Sequence, residues 1–168
     1  MKNIQFIYLF MAFTILCTIN EAKAQLTIMS PFEGTWEHID GNKKFVVSLW
    51  KEENDLLGHY KMINTNNNTI LYSSYKLLTT GQLKWTFAIN TTIYNLEASG
   101  IIIDNSVSFE PTGFIEGYIR MDIQSGTTPL TIHWRVYEPE GLKIENQPDF
   151  NIPTDIVLTK VSNEINLE

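Results

Sequence analysis

The residues able to act as acids, bases or metal ligands are few and scattered. Histidine occurs three times, at His38, His59 and His133, and no two share the spacing that sets a pair of imidazoles on one helical turn. Strand pairing would bring His38 near His59, but no third ligand accompanies them, so no metal site is expected. Glu97, Glu116 and Asp122 lie on apolar-alternating runs and Glu110 follows one, and two of them facing across strands would supply the acid and base of glycoside hydrolysis. Alternation places Glu116 and Asp122 on the polar face of their run, which argues for solvated surface. Ser73-Ser74 and Ser106-x-Ser108 have no base beside them, and nucleophile elbows and phosphate-cradling glycine loops are missing. The expectation is no catalytic residue, no cofactor and no enzymatic activity.

Thiol chemistry is removed by processing. Lys2 precedes an apolar run from Ile4 to Ile19, and Ala22-Lys23-Ala24 gives the small-x-small pattern of a leader cleavage site, so residues 1–24 read as a signal peptide and 25–168 as one exported domain. The destination is periplasmic or extracellular. The lone Cys17 leaves with the leader, and Leu16 before it departs from the small residue that precedes a lipidated cysteine. No disulfide, reactive thiol or thiolate site then remains. The run is too short to span a bilayer, and no second one follows.

The whole chain carries a net charge of −7, and loss of Lys2, Glu21 and Lys23 makes it one unit more negative. Such a surface repels nucleic acid and anionic membranes. A single domain of this length buries roughly two-thirds of its unfolded surface, enough for a core without covalent staples.

Short alternating runs separated by turn residues recur throughout, the period of half-buried strands. Strands are expected at 34–39, 44–51, 56–63, 69–75, 83–89, 93–98, 101–103 continuing into 107–109, 114–123, 130–137 and 155–161. Turns fall at Asp40-Gly41-Asn42, Glu53-Asn54-Asp55, the asparagine-rich 64–68, Thr80-Gly81, Asp104-Asn105 and Gln124-Ser125-Gly126. The fold class is therefore all-β, a single antiparallel up-and-down barrel of about 8–10 strands, with a β-sandwich as the alternative. Segment 138–153 is expected to cross one end, and the polar tail 162–168 to fray.

Parity assigns the interior. Ile115, Gly117, Ile119, Met121 and Ile123 point inward, as do Leu130, Ile132, Trp134 and Val136, and also Leu83, Trp85, Phe87 and Ile89, while Lys84, His133 and Arg135 point out. Leu56, Gly58, Tyr60 and Met62 form the more apolar face of their strand. In 44–51 both faces are apolar, Phe45, Val47 and Leu49 against Val46, Ser48 and Trp50, so a loop or another subunit is expected to cover the outer one.

Gly34-Thr35-Trp36, the turn at Gly41 and then Gly58-His59-Tyr60 resemble the opening meander of the calycins, the lipocalin and avidin-like barrels, whose first strand begins with Gly-x-Trp. The stretch from Asp155 to Val161 resembles the closing strand of the avidin group, and the whole is similar to small exported bacterial proteins without assigned chemistry. The resemblance implies that Trp36 closes one barrel end. It largely does not extend to biotin recognition: His38, Asn42 and Met62 replace the expected polar set, Tyr60 is kept, and Asp155 corresponds to the closing aspartate only on a strand one residue longer.

Two functions are open at this stage. Trp36, His38, Tyr60, Trp85, Phe87 and Trp134 would line an interior holding a small apolar or amphipathic ligand, with His38 orienting it. Alternatively the interior is packed, and the outer faces grip an envelope protein or a second copy, with Trp50 and Tyr75 as anchors.

Overall fold

The alternation of 115–124 is realised as a strand in which Ile115, Gly117, Ile119, Met121 and Ile123 are buried and Glu116, Tyr118 and Arg120 exposed. The other runs behave alike. In a computed structural model that describes residues 29–75, 87–110, 112–139 and 146–167, the strands are β1 (Gly34–Asp40), β2 (Lys43–Glu52), β3 (Asp55–Asn64), β4 (Thr69–Ser73), β5 (Ile89–Tyr94), β6 (Glu97–Asp104), β7 (Ile115–Gln124), β8 (Thr131–Tyr137) and β9 (Asp155–Ser162). No helix occurs among the described residues.

All pairings are antiparallel, and eight strands close a ring in the order β1-β2-β3-β5-β6-β7-β8-β9, with β9 returning to β1. The extra strand, β4, continues where β5 leaves off: β5 pairs with β3 from Asp55 to Gly58 and β4 from Lys61 to Asn64. The expected up-and-down barrel is thus the architecture.

Turns form where a residue tolerates a left-handed backbone. Gly41 at φ 57° joins β1 to β2, and Asn68 at φ 55° joins β3 to β4. Asn95 does the same at φ 57°, which corrects the expected strand 93–98. Its flanking Tyr94 and Leu96 mask a hairpin between β5 and β6 as unbroken alternation. The expected continuation into 107–109 is also corrected, because Asp104 accepts Ser106 N–H at 3.0 Å and Ser106 Oγ–H at 2.6 Å and bends the chain out of the sheet. The expected strand 83–89 and the Thr80-Gly81 turn lie mostly outside the described residues, as do Lys84 and Trp85. What is described of that strand departs from parity. Ala88 and Ile89 are both buried, Ala88 N–H bonds Gly58 O, and Ala88 O accepts Ile103 N–H. Two successive inward residues amount to a bulge.

Each barrel end is closed by a segment of the chain. At the first, Phe32 and Trp36 are fully buried, Trp36 Nε1–H donates to Phe32 O at 2.8 Å, and the Lys160 ammonium lies 5.5 Å from the indole centroid. At the second, residues 146–154 cross as expected. Ile152 joins the core, and Phe150 covers inward-facing Gly117, where a Cβ would stand 2.5 Å from the Phe150 ring.

The two-faced apolarity of β2 is answered by the chain itself. On the outer faces of β2 and β3, Val46, Ser48, Leu57, His59 and Lys61 are buried, and residues 163–167 lie against part of this surface through hydrogen bonds from Thr35, Ser48 and Lys61. The described part of the tail does not fray; those hydrogen bonds hold it.

Candidate functional site

Inside the barrel the aromatic side chains meet one another. Phe45 packs between Tyr60 and Trp134, with ring centroids 5.8 Å and 5.6 Å apart, and Tyr72 meets Tyr60 edge-on at 6.4 Å. Trp36 and Trp134 are 0 % exposed and Tyr60 1 %, so these named positions are in close contact with protein on every side. Trp134 Nε1–H donates to Pro153 O at 2.8 Å, which ties β8 to the crossing segment.

The other interior candidates are placed differently. His38 is half-buried near the second end of β1, its Nδ1 2.9 Å from Val157 O. Phe87, expected inward, lies outside: the bulge at Ala88 reverses its parity, and it lines an open outer cleft of about 410 Å³ with Glu52, Glu53, Asp55, Leu57 and Asn90. Trp85 lies outside the described residues.

Sequence reasoning passed over the most elaborate polar centre. Asp104, 0 % exposed, receives Tyr60 Oη–H at 3.0 Å and both Ser106 donors on Oδ1. Its Oδ2 receives Asn151 N–H at 2.8 Å and Ile152 N–H at 3.3 Å, while Asn151 Nδ2–H reaches Ser106 Oγ at 3.2 Å. One carboxylate thus fastens β3, the β6 turn and the crossing segment together. Its only signal in the sequence was the Asp104-Asn105-Ser106 turn.

Burial, reinforced by the Asp104 charge, pushes the Tyr60 hydroxyl far above the ordinary phenol range. The same two causes, in that order, push Tyr72 up to about 12. Unfolded tyrosines release their protons near pH ~10, while these two keep theirs in the fold. Above that pH the folded state therefore binds more protons, and stability falls. The expected result is a urea midpoint that declines from about pH 10 upward, with a shallower slope in the Tyr60→Phe, Tyr72→Phe double variant. Equal slopes would refute the assignment.

The histidines do not converge. His38 stands opposite Phe45 on the inner side, whereas His59 stands opposite Ser48 on the outer, where its Nδ1 lies 3.0 Å from Ser74 Oγ. His133 pairs with Asp155 at 2.6 Å. Among the described residues no group of three or more His, Cys, Asp or Glu could hold a metal ion. Glu97 and Asp122 do face each other across β6 and β7, yet Arg120 bridges them at 2.6 Å and 3.2 Å, and Arg135 also binds Asp122. Burial alone would raise the Asp122 pKa. The hydrogen bonds from Arg120 and Arg135 outweigh it and hold the carboxyl below the usual carboxylate range. Glu110 and Glu116 are exposed.

Trp50 and Tyr75 flank His59, at ring distances of 5.6 Å and 5.1 Å, and are half-buried. The open aromatics lie elsewhere. Ile101 stands opposite Tyr118, and Tyr118 opposite Tyr137, and their exposures of 41 %, 52 % and 45 % form one apolar row across the outer wall of β6, β7 and β8. The row was missed because each strand was read singly and these residues fall on its polar face.

The protein is thus a closed eight-stranded antiparallel β-barrel with a ninth strand, an architecture consistent with the calycin fold. Comparison with family models, curated proteins and solved structures finds no match to this chain. No helix among the described residues is long and apolar enough to cross a membrane.

Proposed function

We propose that the protein is a self-associating module of the cell envelope, delivered there by its leader, and that copies meet through the outer wall of β6, β7 and β8. The single observation that carries this reading is the exposed Ile101–Tyr118–Tyr137 row, since cross-strand tyrosines on a rigid sheet suit an interface core. The adjoining charges fit it. Glu97 and Asp122 are matched by Arg120 and Arg135 on the same wall, which lessens the repulsion between acidic copies there. The close-packed Trp36, Tyr60 and Trp134 favour this function over ligand storage in the interior. A calycin relationship belongs to the same reading and is supported by Gly34-Thr35-Trp36 opening β1 with the indole at a closed end.

Sedimentation equilibrium over micromolar to millimolar concentration tests it. Mass should rise with concentration, and Tyr118→Ser with Tyr137→Ser should weaken association tenfold or more, about 1.4 kcal/mol or above. A strictly monomeric protein whose tryptophan emission shifts on adding an apolar probe would instead restore the interior ligand.

A further inference from the structure

Polar side chains on the outward face of a sheet normally meet water. Thr35 and Ser48 are cross-strand neighbours on β1 and β2, and Lys61 stands one row along on β3 opposite Val46. All three are nevertheless buried, at 4 %, 2 % and 6 % exposure. Their hydrogen bonds go to the segment that follows β9. Thr35 Oγ1–H donates to Glu164 O at 2.6 Å, and Ser48 Oγ–H donates to Asn166 O at 2.5 Å. Ser48 Oγ also accepts Asn166 N–H at 3.3 Å, while Lys61 Nζ donates to Asn166 Oδ1 at 2.9 Å.

One residue, Asn166, is therefore held at its carbonyl, its amide N–H and its side-chain oxygen, a recognition that reads both backbone and side chain. The segment itself stays outside: Asn163, Glu164, Ile165 and Asn166 are exposed. It also leaves space beside it, an open groove of about 720 Å³ lined by Thr35, Glu37, Val161, Ile165 and Leu167 among others. A strap held by a few hydrogen bonds on an open surface exchanges readily with an identical strap from elsewhere.

We propose that the outer face of β1, β2 and β3 is a binding site for an extended peptide presenting asparagine, and that its occupant in trans is segment 163–167 of a second copy. The site is on a different wall from the tyrosine row, so the Tyr118→Ser, Tyr137→Ser variant leaves it intact and the two readings fail separately.

The test is fluorescence anisotropy of a labelled peptide of residues 162–168 with the full chain carrying Asn166→Ala, whose own segment is loosened. It should bind the peptide at least tenfold more tightly than the wild-type chain does, because the intact segment competes. An Asn166→Ala peptide should bind at least tenfold more weakly, and Lys61→Met in the chain, which removes the donor to Asn166 Oδ1, should remove the discrimination between the two peptides. Equal binding by both chains, or by both peptides, overturns the proposal. Should the variant chain not fold, as judged by its β-type circular dichroism, the wild-type chain must show saturable binding that the unlabelled native peptide competes and the alanine peptide does not. Its absence overturns the proposal equally.

Discussion

Replacing Asp104 by alanine is expected to lower the free energy of unfolding by about 2–4 kcal/mol, because it strands the buried Ile152 N–H together with the part-buried donors of Asn151 and Ser106. Tyr60 Oη–H retains Ile103 O at 3.1 Å as an alternative acceptor. The N–H groups of Asn151 and Ile152 lose their shared partner in Asp104 Oδ2, and Ser106 loses the acceptor that shapes its turn. Asp104→Asn should cost about half as much: it keeps the shape and one acceptor oxygen but points an amide N–H at donors. Urea denaturation of the three proteins checks this. An alanine variant within about 1 kcal/mol of wild type, below the loss expected for even one stranded donor, would mean the carboxylate does not fasten the barrel end.

The second large effect is expected at Trp134. Its ring is fully buried, edge-on to Phe45, and its N–H holds Pro153 O. Trp134→Ala should therefore destabilise by about 3–5 kcal/mol, combining lost transfer energy with a cavity the barrel wall cannot collapse to fill. A cavity with apolar walls accepts a matching apolar guest. Added indole should thus raise the melting temperature of the variant and leave wild type unchanged. If wild type gains as much, its interior already has room for a guest.

Much of the architecture was legible because a barrel with an apolar interior writes period two into its strands. β7 shows this plainly, its five inward positions running from Ile115 to Ile123 without exception. The meander β1, β2 and β3 was readable for a further reason: Gly41 and the Asn64-to-Asn68 stretch mark turns chemically. The reading failed where an ordinary residue did a special job. Asn95 turned the chain inside an apolar stretch, and Ala88 shared its inward direction with Ile89, moving Phe87 outside. The polar centre at Asp104 assembles partners from β3, a turn and the segment near Asn151, a convergence that only the closed sheet brings about. The tail was misjudged for a related reason. Polarity suggested solvation, whereas its contacts lie on strands far away in sequence.

Closure of the ring depends on β1 meeting β9, in a register that runs from Thr35 opposite Ser162 to Glu37 opposite Thr159. The seam therefore joins the first and last of the described strands. On the ribosome the growing chain can form only an open meander, with unpaired edges, until β9 has emerged. Joining such distant partners slows folding far more than it weakens the finished ring, since loop entropy grows only slowly with length. A polypeptide ordered this way stays unshut until β9 is made, whatever the state of the strands before it.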